Sequence, residues 1–498
     1  MAGSGIITID IGTTSMRAIL FDREGRQIAM ARRDNQPSYF PDGRVEQSAE
    51  TWMSTLEEVL PECAAAASAA RMAVEGISLT SQRSSVIPVD AAGQPLQSAI
   101  MWQDTRTEAM CRELSAHENE VYGICGMRIT PVMSAVKMRW LKEHSPDIFH
   151  RTWKMAGIHD FVLHLLTGRF LTDPSLASRT NLLNLARLDW DPDLMGFFGI
   201  PRSMLCDMVP TGCVAGDLLP TLAARAGLRA GLPVITAGGD QQCAALGLGL
   251  IAPGGIIANT GTGSYLLAFS DHPVFDKEMR VFCNASALPG SYVVEASLPA
   301  SGVIYRWFGD TFYPVPAGAC GDFSSMNAEA ETSPLGSNGL LFLPHFKGSV
   351  SPRFNPNARG TFHNLGLGTT RGDMSRAILE GIAAEMADNL ELLERLTGKV
   401  EWVNASGGLT KFSLFNRIQA DMYGRKLRLA THCEATARGA WISAAAALGM
   451  YRSIGEAAAV AEAGSGIEEI QPNPVATEFY DGLRKTRQAL FVSLYPTA

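Results

Sequence analysis

Residues 9–15 read I-D-I-G-T-T-S and residues 258–264 read A-N-T-G-T-G-S, an offset of 249 in a chain of 498 residues. Half the chain separates two near-copies of one small, hydroxyl-rich loop. In register, Gly12 falls on Gly261, Thr13 on Thr262 and Ser15 on Ser264. Such self-similarity constrains the architecture before local propensity does, because a repeated unit folds the same way twice. Each copy has an apolar run on both sides of its turn: Ile6 to Asp10 and Ser15 to Asp22, then Ile256 onward and Ser264 to Phe269. Apolar, β-branched runs interrupted by Gly-Thr read as hairpins. A chain of this length exceeds what one core organises. Two domains follow, divided as 1–250 and 251–498. The stretch from Leu248 to Gly255, ending Ala252-Pro253-Gly254-Gly255, is the predicted junction.

Composition removes several function classes. With 46% hydrophobic and 18% charged residues, the chain has the balance of a soluble globular protein. A net charge of −8 without a basic run argues against a nucleic-acid groove or a polybasic membrane patch. Nine cysteines are dispersed with no C-x-x-C pair, which predicts reduced thiols and neither a zinc site nor a disulfide framework. The start, M-A-G-S-G-I-I-T-I-D, has no basic leader, and no segment offers 18 uninterrupted apolar residues. The expected location is the cytoplasm.

Strands and helices alternate through the rest of the chain. Pro233 to Thr236 reads as a buried strand leading into Ala237-Gly238-Gly239-Asp240, and Val403 to Ser406 leads likewise into Gly407-Gly408. Ser375 to Thr397 carries Ile378, Ile382, Met386, Leu390 and Leu393 at helical spacing, which predicts an amphipathic helix with one buried face. The fold class is α/β, as two similar halves facing one another.

The paired loops carry the chemistry. A Gly-Thr turn exposes successive backbone N–H groups, and such a nest binds phosphate. Two of them can grip a polyphosphate from opposite sides. Asp10 ends one strand just before the first loop, and Asp240 follows Gly238-Gly239 at the end of another. Mg²⁺ reaches proteins through one or two carboxylates while retaining waters and phosphates, and phosphoryl transfer needs a group turned toward the attacking hydroxyl. Asp10 beside the metal and Asp240 at the hydroxyl supply both. The chain has no G-x-x-x-x-G-K-[ST] and no complete G-x-G-x-x-G at this loop, so neither a P-loop nor a dinucleotide fold is indicated.

These residues also carry a family resemblance. I-D-I-G-T-T-S-M-R-A-I-L-F-D, S-Q-R-S-S, I-M-W-Q-D-T-R-T, G-G-D-Q-Q, N-T-G-T-G-S and S-G-G-L-T-K-F-S-L-F-N-R-I-Q-A-D together resemble the FGGY carbohydrate kinases. The resemblance implies two ribonuclease-H-like domains of the actin and sugar-kinase superfamily, with a catalytic cleft between them. It implies that Asp240 is the catalytic base and Asp10 the metal-side carboxylate. Thr13, Thr14 and Arg17 would belong to the first phosphate loop, Thr262 and Gly263 to the second, and Gly407, Gly408 and Lys411 to the adenosine site. Gln82, Arg83, Trp102, Asp104 and Gln241 would line the sugar or polyol pocket. ATP, Mg²⁺, a small sugar or polyol and a dimeric or tetrameric homo-oligomer are implied with them; nucleic acid and membrane are not.

The region Asp173 to Trp190 looks most like the glycerol kinase branch, yet three departures keep a xylulokinase-type enzyme as the alternative. Ser84 stands where glycerol kinases carry Glu, no Tyr occurs in Thr130-Pro131-Val132-Met133-Ser134, and Phe346-Lys347-Gly348-Ser349 replaces a G-E-R-x-P segment. A different class, an actin-like ATPase switch, would have no need of the polyhydroxyl-binding set Gln82-Arg83 and Trp102-Gln103-Asp104.

Overall fold

The computed structural model describes residues 3–313, 323–430, 434–464 and 466–496. Cys320 and Cys433 lie outside the described residues. The other seven cysteines are free thiols.

Two sheets organise the chain, and they have the same plan. In the first, the order is Val214–Asp217, Pro233–Gly239, Met72–Ser81, Gly3–Ile11, Ser15–Asp22, Gln27–Asp34. In the second it is Ile467–Ile470, Lys426–Ala430, Trp402–Ser406, Gly255–Thr260, Ser264–Ser270, Tyr292–Leu298, with Phe282–Ala285 added at the far edge. Each central strand (Gly3–Ile11 or Gly255–Thr260) pairs antiparallel with its hairpin partner and parallel with its other neighbour. The duplicated hairpins are thus the centres of duplicated sheets. Their strands are nearly continuous apolar runs because both faces are covered. Ile6, Ile7, Ile9 and Ile11 are all fully buried.

Each sheet has an outer and an inner layer. Helix Ala49–Ala69 and helix Ile158–Thr167 cover the outer face of the first sheet, burying Ile7, Ile9 and Ile11 against Trp52, Leu56 and Phe161. Helix Arg371–Thr397 does the same for the second. Between the sheets lie two crossing helices, Asp240–Gly247 and Ala435–Ala447, each following a parallel strand or its loop in one half. Helix Ala435–Ala447 packs on the first sheet, where Trp441, Ala440 and Ala444 meet Ile6, Ile19 and Ile235. Ala245 of the other helix joins Ile257, Leu267, Phe269 and Val293 of the second sheet. The crossing leaves no room for side chains: a Cβ on Gly439 would strike the carbonyl of Cys243, and one on Gly247 that of Ala435. At this crossing the two halves meet backbone to backbone.

The long helix departs from its predicted form. It runs Arg371–Thr397 and buries most of its circumference, not one face. Its apolar stripe shows in the sequence, but its buried polar side chains do not. Arg376 pairs with Glu380 at 2.8 Å, and Arg487 of helix Pro474–Leu494 reaches Glu385 and Asp388 at 2.6 Å each. Charged residues tolerate burial when paired in this way, and a periodicity count scores them as solvent-facing.

Candidate active site

The first loop connects Gly3–Ile11 to Ser15–Asp22 through residues 12–14. Its carbonyl groups are tied back into the protein. Gln82 Nε2 donates to the Gly12 carbonyl at 3.2 Å, and the Asn35 amide donates to the Thr14 carbonyl at 2.9 Å. The Gly12 amide closes the turn on the Ser15 carbonyl at 2.9 Å. Among the described residues, the amides of Thr13 and Thr14 meet no acceptor, and Thr14 is exposed. The turn therefore presents donors outward, as an anion site must. Thr13 Oγ1 donates to Gln82 Oε1 at 3.2 Å and accepts from Trp102 Nε1 at 3.1 Å.

Asp10 faces Arg17 across this hairpin. Burial raises its pKa from 3.8 to about 7; Arg17 opposes that rise, and Asp240 and Glu434 add to it. Arg17 itself is ion-paired with Glu434, from the segment entering helix Ala435–Ala447. Asp10 is thus a desolvated carboxylate whose nearby cation is shared. That is an electrostatic position which a divalent ion suits. Among the described residues, no group of three or more His, Cys, Asp or Glu could hold a metal alone. The arrangement fits Mg²⁺ carried in with phosphates better than a resident all-protein cage.

The second loop, residues 261–263, is built alike. Its backing is the start of helix Gly302–Phe312: the amides of Ser301 and Gly302 donate to the Thr262 and Gly261 carbonyls at 3.0 and 3.1 Å. Gly263 is forced, since a Cβ there would lie 2.8 Å from the Leu298 carbonyl oxygen. Gly407, at φ +101°, allows its strand end to lie against Thr260, whose carbonyl a Cβ would approach to 2.5 Å. At Gly408 nothing stands within 4 Å of a Cβ, so this glycine borders open space. That space is a cavity of about 590 Å³ lined by Thr262, Gly302, Arg306, Asn327, Gly408 and Lys411. Tyr305 and Phe412 form a ring pair in its wall with centroids 6.5 Å apart. A volume of this size accommodates a nucleoside.

Asp240 opens helix Asp240–Gly247 directly after strand Pro233–Gly239. Burial is the largest influence on its pKa and pushes it up, with Arg83 the principal opposing charge. Arg83 Nε lies 3.4 Å from Asp240 Oδ1, and the aspartate side chain keeps 30% exposure toward the cleft. The turn before it is held by a carboxylate the sequence reading did not single out. Asp173 is fully buried and accepts from the Ser175 hydroxyl (2.6 Å), the Thr236 hydroxyl (2.6 Å) and the Thr211 hydroxyl (3.0 Å). Ser175 Oγ in turn accepts from the Gly239 amide at 3.0 Å. Gly238, at φ +107°, leaves the space Ser175 Oγ needs. The glycine pair before Asp240 is therefore set by Asp173 through Ser175.

The remaining expected residues divide. Arg83 lies beside Asp240 and Gln241 follows it, with Arg83 Nη1 and Gln241 Oε1 buried and without hydrogen-bond partners, while Trp102 is tied to the first loop through Thr13. Gln82 chiefly braces the first loop. Asp104 does not offer its carboxylate to the cleft: fully buried, it accepts from the Val45 amide at 2.7 Å and from Arg106 at 2.8 Å. It anchors the segment that carries Trp102. Lys411 and Gly408 are exposed and line the 590 Å³ cavity, and Gly407, also exposed, directly precedes Gly408. Residues missed in the sequence include Asp173, Arg179, Tyr265 and Glu295 around Asp240, and Tyr305, Arg306 and Asn327 in the cavity. Tyr265 could have been found, because it lies two residues after the second loop.

Comparison with known proteins agrees with this geometry. The N-terminal domain of the FGGY family of carbohydrate kinases matches residues 5–247, and its C-terminal domain matches residues 256–448. The chain is 32% identical to a glycerol kinase of Bordetella parapertussis over 513 aligned positions, covering 99% of this chain and 97% of that one. It is 29% identical to a xylulose kinase of Bacillus subtilis, covering 91% and 90%. The crystal structure of xylulose kinase from Rhodospirillum rubrum superimposes with a TM-score of 0.91 at 29% identity, covering 99% of each chain. No described helix is long and apolar enough to cross a membrane. With both of its halves matched in order, the chain belongs to the FGGY family of carbohydrate kinases.

Proposed function

We propose that the protein transfers the γ-phosphoryl group of MgATP to a hydroxyl of a small sugar or polyol, with Asp240 as general base. The observation that carries this is the placement of Asp240. It sits at a glycine-shaped strand end, its pKa raised by burial, with one edge open to the cleft and Arg83 at 3.4 Å. A raised pKa makes a carboxylate a better proton acceptor near neutral pH. In a loose phosphoryl-transfer transition state the hydroxyl proton leaves late, so modest basicity suffices.

The adenosine would occupy the 590 Å³ cavity beside Gly407, Gly408 and Lys411. Its phosphates would run between the outward amides of Thr13 and Thr14 and those of Thr262 and Gly263. Asp10, with Arg17 beside it, would hold the Mg²⁺, and the ion would neutralise charge developing on the phosphates. Arg83, Gln241 and Trp102 would seat the acceptor. Residues 1–250 would then supply the acceptor site and base, and residues 251–498 the nucleotide site. Relatives named glycerol kinase and xylulose kinase support both substrate readings. The family resemblance further supports a dimeric or tetrameric enzyme in the cytoplasm.

The test is ADP release from MgATP with polyhydroxyl compounds, comparing wild type with Asp240→Asn. One acceptor should stimulate strongly, and the variant should lose about 10²–10⁴-fold in kcat, the range general-base removal gives. Stimulation that survives the substitution would remove Asp240 from the role.

A further inference from the structure

The acceptor side of the cleft holds more unpartnered polar groups than a base and one arginine. Arg179 follows the short helix Pro174–Ala177 and is almost buried, its side chain 11% exposed. Its Nε has no hydrogen-bond partner, and its guanidinium lies over the Phe282 ring at 5.6 Å. Facing it from the other half is Glu295, with a side chain 4% exposed. The nearest opposite charge to Glu295 is Arg179 Nη1 at 3.9 Å, too far for a hydrogen bond. Strand alternation explains the encounter. Glu295 pairs with Leu267 and with Phe282, and Tyr265 lies two residues before Leu267. Tyr265, Glu295 and Phe282 therefore share the sheet face turned toward the first half.

These groups belong to one site with Asp240. Arg83, Arg179, Tyr265, Glu295 and Asp240 lie close enough that each of the other four charges acts on Tyr265. Two guanidinium groups with unused donors, Arg83 Nη1 and Arg179 Nε, thus stand near the unpartnered Gln241 Oε1 and near the Glu295 carboxylate, which Arg179 Nη1 approaches only to 3.9 Å. Buried donors and acceptors without partners are costly, and a ligand that is both donor and acceptor satisfies them together. Neighbouring hydroxyls are such a ligand. The wall of the first half does not supply this carboxylate itself. Asp104 is committed to Arg106, and Ser84 Oγ donates to the backbone carbonyl of Arg179 at 3.3 Å.

We propose that Arg179 and Glu295, one from each half, form a second acceptor subsite that grips hydroxyls remote from the transferred one, selecting a neutral polyhydroxyl chain of four or more carbons. The inference rests on the kinase reading above. It counts one hydroxyl at Asp240, one between Arg83 and Gln241, and a pair shared by Arg179 and Glu295. Glycerol has too few. A sugar acid would set its carboxylate against Glu295. Because the subsite draws on both halves, a long acceptor also links the halves where a short one cannot.

The experiment measures ADP release by the full-length protein with MgATP and glycerol, erythritol, ribitol, xylitol, D-xylulose and gluconate. The best neutral acceptor of four or five carbons should exceed glycerol and gluconate by about 100-fold or more in kcat/KM, the discrimination that paired hydroxyls give. Glu295→Gln should cost that acceptor about tenfold more than it costs glycerol, and the cost should lie in KM. Glycerol or gluconate as the best acceptor overturns the inference alone, as does an equal loss for long and short acceptors. ADP release that no compound stimulates overturns the kinase reading with it. Should Glu295→Gln not fold, calorimetric titration of wild type with xylitol and glycerol decides. Binding of xylitol no tighter than glycerol refutes the subsite.

Discussion

The two hairpin loops share one plan and stand in different surroundings. Both close a central strand, both turn amides outward, and both have their carbonyl groups tied back. What differs is what stands beside them. In register, Asp10 of the first half falls on Asn259 of the second, and Arg17 falls on Leu266. The neighbouring parallel strands end in Ser81-Gln82 in the first half and Ser406-Gly407 in the second. Gln82 reaches back to brace its loop, whereas Gly407 lets its strand end lie against Thr260 beside an open cavity. The first half thus keeps the charge and links its loop to the acceptor residues. The second gives up both and gains room. Duplication provides two outward-turned loops, and on the proposed function their divergence would divide metal and acceptor from nucleotide.

The sharpest way to break the asymmetry is to erase the charge. Asp10→Asn makes the first loop resemble the second. It should lower kcat by about 10²–10³-fold, since metal-assisted charge stabilisation is worth several kcal/mol. Raising Mg²⁺ should recover part of the loss, and a loss indifferent to Mg²⁺ would separate Asp10 from the metal. Next in size is Gly407→Ala, which forces a methyl group onto the Thr260 carbonyl and strains a φ of +101°. Overpacking of this kind costs about 1–3 kcal/mol. The expected readouts are a raised KM for ATP and a lowered melting temperature, with KM for the acceptor little changed.

The loop threonines sharpen the comparison further. Thr262→Val should raise KM for ATP about 3–10-fold, the worth of one hydrogen bond, with little effect on the acceptor. Thr13→Val should do the same for ATP and also raise acceptor KM, because it orphans Gln82 Oε1 and Trp102 Nε1. Equal profiles for the two variants would mean that the first loop is not coupled to the acceptor site.

Much of this arrangement is legible in the sequence because its causes are local. Gly-Thr turns between apolar runs announce hairpins, and Gly238-Gly239-Asp240 announces a tight strand end. The acceptor site is less legible. Asp173 reads as an ordinary helix cap, and it is one, accepting from the Ser175 amide. Its larger role needs Thr211, Thr236 and Gly239, which only folding gathers. Arg179 and Glu295 lie far apart in sequence and meet only where two sheets face each other. Asp104 shows the opposite failure: its residue type suits a sugar pocket, but Arg106, two positions on, claims it. Pattern reading finds groups that a turn exposes. It does not tell which buried charges already have partners.

The smallest expected effect tests the comparison from the other side. Asn259→Asp restores to the second half the carboxylate it lacks. Asn259 is exposed one residue before the end of strand Gly255–Thr260, so on the proposed function the new charge would face triphosphate with no arginine opposite, Leu266 standing in register with Arg17. Two like charges near a protein surface repel by about 1–4 kcal/mol at close range, and solvent and salt reduce this greatly. The net outcome should be a rise of about 2–5-fold in KM for ATP that fades as ionic strength rises, with kcat retained. A variant that gained activity through a second Mg²⁺ would show the halves still interchangeable. A salt-dependent loss would show that a carboxylate serves catalysis only where Arg17, Glu434 and Asp240 already surround it.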